Sequence, residues 1–113
     1  MRNRRPEIYR ERIPARRGEL KWQEDERGRV VLELVRRGVV RRAAGWLWGS
    51  PRRTYLHLDS IGSFVWLEMD GTLSMTALCE RLENAFGERV SPTYDRLVIF
   101  ARMMEARGLI EWK

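Results

Sequence analysis

This 113-residue chain has one imidazole and one thiol, His57 and Cys79, the side chains a Cys/His metal site or a histidine-based nucleophilic site would have to use. They stand far apart in sequence and neither has a second His or Cys at ligand spacing, so no Cys/His metal site is expected. A nucleophilic triad would need a serine, His57 and an acid to converge, and nothing local prepares that. Cys79 lies inside a helical pattern and reads as a small buried apolar residue. A single cysteine allows no internal disulfide and fits a reducing, cytoplasmic setting. Glu80 and Glu83 read as a solvated helix face. The chain has no phosphate-cradling glycine loop, dinucleotide fingerprint or nucleophile elbow. These residues predict a protein that is not an enzyme and needs neither cofactor nor metal.

The stretch Tyr55 to Gly71 organises the elements. Tyr55 to Leu58 alternate in the β sense, with Leu56 and Leu58 on one face. Asp59 then reads as the N-cap of a helix in which Ile61, Phe64, Val65 and Leu67 fall at helical spacing. Asp70-Gly71 is its stop. Upstream, Leu20–Gln23 and Arg29–Val35 predict two strands joined across the polar turn Glu24–Gly28, the second rich in β-branched residues. Downstream, Ser74–Phe86 predicts a second helix carrying Leu78, Leu82 and Phe86, ended by Gly87. Ser91-Pro92 suits the start of a third helix, Ser as cap and Pro in the first turn. It runs to about Arg107 before Gly108, with Leu97, Phe100, Ala101 and Met104 as its core stripe. Leu109–Trp112 finishes as a short extended piece. The order is β-β-β-α-α-α, an α+β domain over residues 19–113.

The net charge of +6 is unevenly placed. Residues 1–18 carry seven arginines against Glu7 and Glu11, and read as a flexible basic arm; Ile8, Tyr9 and Ile13 offer it apolar contacts with the domain. Residues 36–58 carry six arginines and no acid, whereas residues 59–113 are net acidic. Within the basic part, residues 39–52 form an Arg/Trp-rich insertion. There Val40, Ala43, Ala44, Leu47 and Trp48 can line a short helix, but Gly45, Gly49 and Pro51 keep it short or irregular. It can be a lid on the sheet, a membrane-surface patch built on Trp46 and Trp48, or a docking site. No segment approaches the ~18 apolar residues of a membrane span, and no signal peptide is evident.

Leu58-Asp59 at a strand end, then Gly62-Ser63-Phe64-Val65-Trp66, then Asp70-Gly71-Thr72 make an ordered pattern. Leu78, Leu82, Phe86-Gly87, Met104 and Arg107-Gly108-Leu109-Ile110 continue it. Over roughly residues 20–112 the chain resembles the PqqD family of peptide chaperones, or RiPP recognition elements. The resemblance implies a winged helix-turn-helix-like fold: a three-stranded antiparallel sheet followed by three helices. It implies a domain that binds the leader of a ribosomally made precursor peptide and presents it to a modifying enzyme, often a radical SAM enzyme. It also implies that the leader adds as a strand beside the third strand, in the groove facing the third helix. Carried onto this chain, the edge is Arg53, Thr54, Tyr55, Leu56 and His57, and the helix contributes Arg96, Ile99, Met103 and Arg107. Two apolar side chains framed by arginines suit a peptide with apolar anchors and acidic residues; Ile99 and Met103 could equally be extended core or a dimer contact. The chain departs from the family's best-known members in having Asp59 where they have Asn, in its 39–52 insertion and in its basic arm.

Two other functions deserve a test. A pI of about 10.4 invites nucleic-acid binding, but residues 92–107 carry only Arg96, Arg102 and Arg107 against Asp95 and Glu105, a poor reading helix. The Trp46/Trp48 segment invites a peripheral membrane adaptor. An exposed third strand also permits a homodimer by edge pairing.

Overall fold

Backbone pairing and helix caps fix the architecture of the computed structural model, which describes residues 6–36 and 52–113. The arm's first five residues and nearly all of the Arg/Trp-rich segment 39–52 lie outside that range. A one-turn 3-10 helix, Pro6–Tyr9, leads into β1 (Pro14–Arg16), β2 (Lys21–Glu24) and β3 (Val30–Arg36). Then come β4 (Arg52–His57), α1 (Ser60–Glu68), α2 (Met75–Phe86), a second 3-10 turn (Gly87–Val90), α3 (Thr93–Ala106) and β5 (Ile110–Trp112). β2, β3 and β4 form the antiparallel three-stranded sheet expected from the sequence, followed by three helices. β1 and β5 make a separate antiparallel pair that the periodicity did not foresee.

α1 has almost no polar face, and most of it is turned toward the core. Gly62, Ser63, Val65 and Trp66 are buried, and a helix apolar all round belongs inside. Trp66 is fully buried and meets the edge of Trp22 at 6.0 Å between ring centroids. Leu32 from the sheet, Met75 and Leu78 from α2, and Ala101 and Met104 from α3 complete the same core.

The caps follow local chemistry. Asp59 accepts from the Gly62 N–H at 2.7 Å, and Ser74 accepts from the Ala77 N–H at 3.2 Å; each satisfies a first-turn donor left over by helix geometry. α1 ends one residue before Met69, and Asp70 then folds a turn by accepting from both the N–H and the hydroxyl of Thr72. α3 departs from expectation. Ser91 does not cap it: it closes the preceding 3-10 turn, its N–H donating to Glu88 O at 3.1 Å, and lies one residue before the N-cap position. Pro92 holds the N-cap position without a side-chain bond.

Residues 6–17, part of the segment set apart as an arm, are docked on the domain. The Arg16 guanidinium donates to Trp66 O and Leu67 O, both at 2.9 Å, and so satisfies the last carbonyls of α1. Arg10 O and Arg12 O accept from the N–H groups of Thr76 and Met75 at the start of α2. Arg12 stacks 4.6 Å over the Trp112 ring and Arg10 4.2 Å over Tyr94. Exposed cation–π contacts of this kind contribute about 0.5–1 kcal/mol each. Tyr9, one of the apolar contacts offered by the sequence, packs on Trp112 at 5.3 Å between ring centroids, whereas the backbone carbonyls and guanidinium planes that add to the anchoring leave no periodic signal. Among the described residues no helix is long and apolar enough to cross a membrane.

One hydroxyl joins the sheet to α1. The Val30 N–H donates to Ser63 Oγ at 2.8 Å, and that hydroxyl donates to Leu58 O at 3.3 Å. Ser63→Ala strands a buried donor, so urea unfolding should show a loss of about 1–3 kcal/mol; a change below about 0.5 kcal/mol would contradict this role. Burial, reinforced by the nearby Glu83 carboxylate, pushes the Cys79 thiol up to about 11. The native thiol therefore stays neutral while the unfolded chain's ionises. The stability it confers is complete below the ordinary thiol range and declines as pH rises from about 9 toward 11. Iodoacetamide at pH 8 should alkylate Cys79 rapidly only in denaturant; equal rates with and without denaturant would show an open thiol.

Candidate functional site

β4 is an edge strand: it pairs with β3 on one side and with no described strand on the other. The ladder fixes which of its backbone groups are free. Leu58 N–H bonds Val30 O at 2.9 Å, so with the register Leu32↔Leu56 and Leu34↔Thr54 the even-numbered residues of β4 face β3. Antiparallel pairs alternate between bonded and non-bonded. The N–H and C=O groups of Arg53, Tyr55 and His57 therefore point to the open edge. β2, the sheet's other edge, is four residues long with charged Lys21 and Glu24 at its ends, a common way to discourage pairing.

A groove of about 420 Å³ runs beside β4. Leu56 and His57 border it on the strand side, Ile61 and Val65 on α1, and Phe100 and Met103 on α3. Buried Leu82 and Val90 also line it. Gly62 sets its width: a Cβ there would meet Asp59 Oδ1 at 3.2 Å and the Phe100 ring at 3.5 Å, so glycine lets α3 lean onto the start of α1. Arg96 adds a cation to the lining, and one of its N–H groups donates to Arg89 O at 2.9 Å. Asp59 adds a carboxylate, one oxygen of which holds the helix cap.

Of the residues singled out in the sequence, Leu56, His57, Arg96 and Met103 come together at this groove. Thr54 is exposed on β4 but outside the lining, and Tyr55 belongs to a second cleft on the outer face of the sheet. Arg53 contributes its backbone position on the edge. Ile99 is 67% exposed and outside the lining. It sits about 160° round α3 from buried Leu97 at 100° per residue, nearly opposite the core. Arg107 falls just past the last turn of α3, also outside the lining. Sequence reasoning missed Ile61 and Val65 as groove residues and assigned Phe100 to the core, where it is half-buried. The available signal was the spacing Arg96, Phe100, Met103 (i, i+4, i+7), one flank of the core stripe.

Among the described residues no cluster of three or more His, Cys, Asp or Glu side chains could hold a metal ion. The arrangement can hold an extended chain: backbone donors and acceptors in a row with no partner strand among the described residues, an apolar trough beside them and a guanidinium in the trough's lining.

Neither a curated protein nor a solved structure matches the chain. The family described as Coenzyme PQQ synthesis protein D (PqqD) matches residues 30–110, a span that runs from the first residue of β3 to the first residue of β5 and includes every groove residue. The chain belongs to the PqqD family, whose domains are RiPP recognition elements.

Proposed function

We propose that this domain captures the leader of a ribosomally made precursor peptide by strand addition to β4 and presents it to a modifying enzyme, a radical SAM enzyme being the class to test first. Family membership supports the coarser statement, a non-catalytic accessory protein that binds a peptide and serves a modifying enzyme. The observation that carries the finer reading is the edge of six-residue β4, unpaired among the described residues and lying beside the apolar groove. In strand addition the main-chain bonds supply affinity, and pockets for alternate side chains supply selectivity. Ile61, Val65, Phe100 and Met103 suit an apolar anchor, and Arg96 suits an acidic residue next to it.

The test is calorimetric titration of the monomeric full chain with leader peptides of precursors encoded beside it. Met103, 44% exposed at the groove, is the informative side chain. Burial of a methionine against a ligand contributes about 1.5–3 kcal/mol, so Met103→Asp should weaken binding about 10-fold or more. Ile99→Asp, outside the lining, should change it less than about 2-fold. Arg96→Glu should weaken an acidic leader and flatten its salt dependence. Binding that ignores Met103→Asp, or that Ile99→Asp abolishes instead, would contradict this reading.

A further inference from the structure

We propose that a strand bound on β4 is read on both faces of the sheet, with Tyr55 as the specificity-determining residue of the outer face. The inference rests on the strand-addition reading above and adds a second selectivity surface to it. An added strand shares the pleat, so a residue paired opposite a β4 residue projects its side chain to that residue's face. The residue opposite Tyr55 therefore points to the outer face. Its two neighbours point inward, beside Leu56 and the groove.

The outer face is shaped to meet that side chain. The register sets Lys21 beside Glu33 and Glu33 beside Tyr55, one row across the three strands. The bound residue becomes the fourth member of that row. A shallow cleft of about 380 Å³ lies along it, lined by Lys21, Gln23, Val31, Glu33 and Tyr55. Tyr55 is 57% exposed, the most exposed aromatic ring among the described residues, and it stands at the open edge. Aromatic side chains on a sheet face pair best with aromatic or β-branched neighbours across the strand. The peptide class that fits is an extended segment with an aromatic or β-branched residue facing Tyr55 and an apolar residue on at least one side of it. Proline is excluded wherever its missing N–H would meet a carbonyl of Arg53, Tyr55 or His57. An ordinary amphipathic strand, apolar on one face only, would leave the Tyr55 surface unused.

The probe is a randomised 12-residue peptide library displayed on phage and selected on the full chain, followed by affinity measurement with one enriched peptide. Two variants separate the claims: Met103→Asp reports on the groove and Tyr55→Thr, which keeps a strand-favouring residue, on the outer face. The expected result is enrichment of apolar residues at adjacent positions, with Tyr55→Thr weakening binding about 3- to 5-fold. Replacing the outward peptide residue by serine should cost about as much in wild type and little further in Tyr55→Thr, the signature of a direct pair. A peptide that needs Met103 but is indifferent to Tyr55→Thr overturns this inference and leaves strand addition standing. A chain that retains no peptide, or whose peptides ignore Met103→Asp, overturns both.

Discussion

Where β3 begins, its ladder to β4 is interrupted by a side chain. In a regular antiparallel pair Val30 and Leu58 would exchange two bonds. One is present, from the Leu58 N–H to Val30 O; the other is replaced by the Ser63 hydroxyl, which accepts from Val30 and donates to Leu58. That hydroxyl ties the first turn of α1 to the end of the sheet while Asp59 caps the same turn. The direction of α1 away from β4 is thereby fixed, and with it the trough between the strand's edge and α3. A buried hydroxyl with both of its bonds made stabilises only modestly, but leaving Val30 unpaired would be costly. The constraint works chiefly as geometry.

The rest of the molecule braces that junction from behind. The Arg16 side chain satisfies the carbonyls at the far end of α1, and the backbone of residues 10–12 satisfies the first donors of α2. β1 closes on β5, so a segment near the N-terminus and one at the C-terminus are held together beside the helices. None of these bracing residues lines the groove beside β4. The fold thus ties α1 down at both of its ends and leaves one edge of the sheet unpaired among the described residues, which is the side where a peptide can contribute the missing strand.

Much of this was legible in the sequence for physical reasons that can be named. Strand β3 announced itself by β-branched residues, α1 by Asp59 and its apolar run, and α2 by Ser74 with Leu78 and Leu82 at helical spacing. The groove was half legible. Arg96 and Met103 emerged from the helical wheel of α3, but Phe100 was absorbed into the core stripe, because a half-buried groove wall and a core residue have the same periodicity. Ile99 was grouped with Met103 although their directions differ by about 40° at 100° per residue, enough to take it off the groove. The docking of residues 6–17 was legible only in its apolar part, where Tyr9 packs on Trp112; the part that runs through backbone carbonyls and guanidinium stacking leaves no mark on periodicity. The role of Ser63 was hidden because a serine inside an apolar helix looks like a small spacer until its partners are known.

Backbone pairing at the edge of β4 is the central claim, and amide hydrogen exchange of the full chain, with and without a bound leader peptide, tests it most directly. In the free chain the amides of Tyr55 and His57 should exchange fast while those of Leu56 and Leu58, bonded to β3, are protected. Adding peptide should slow Tyr55 and His57 selectively and leave the even-numbered positions unchanged. A peptide that binds without protecting Tyr55 and His57 would contradict strand addition and place recognition elsewhere on the molecule.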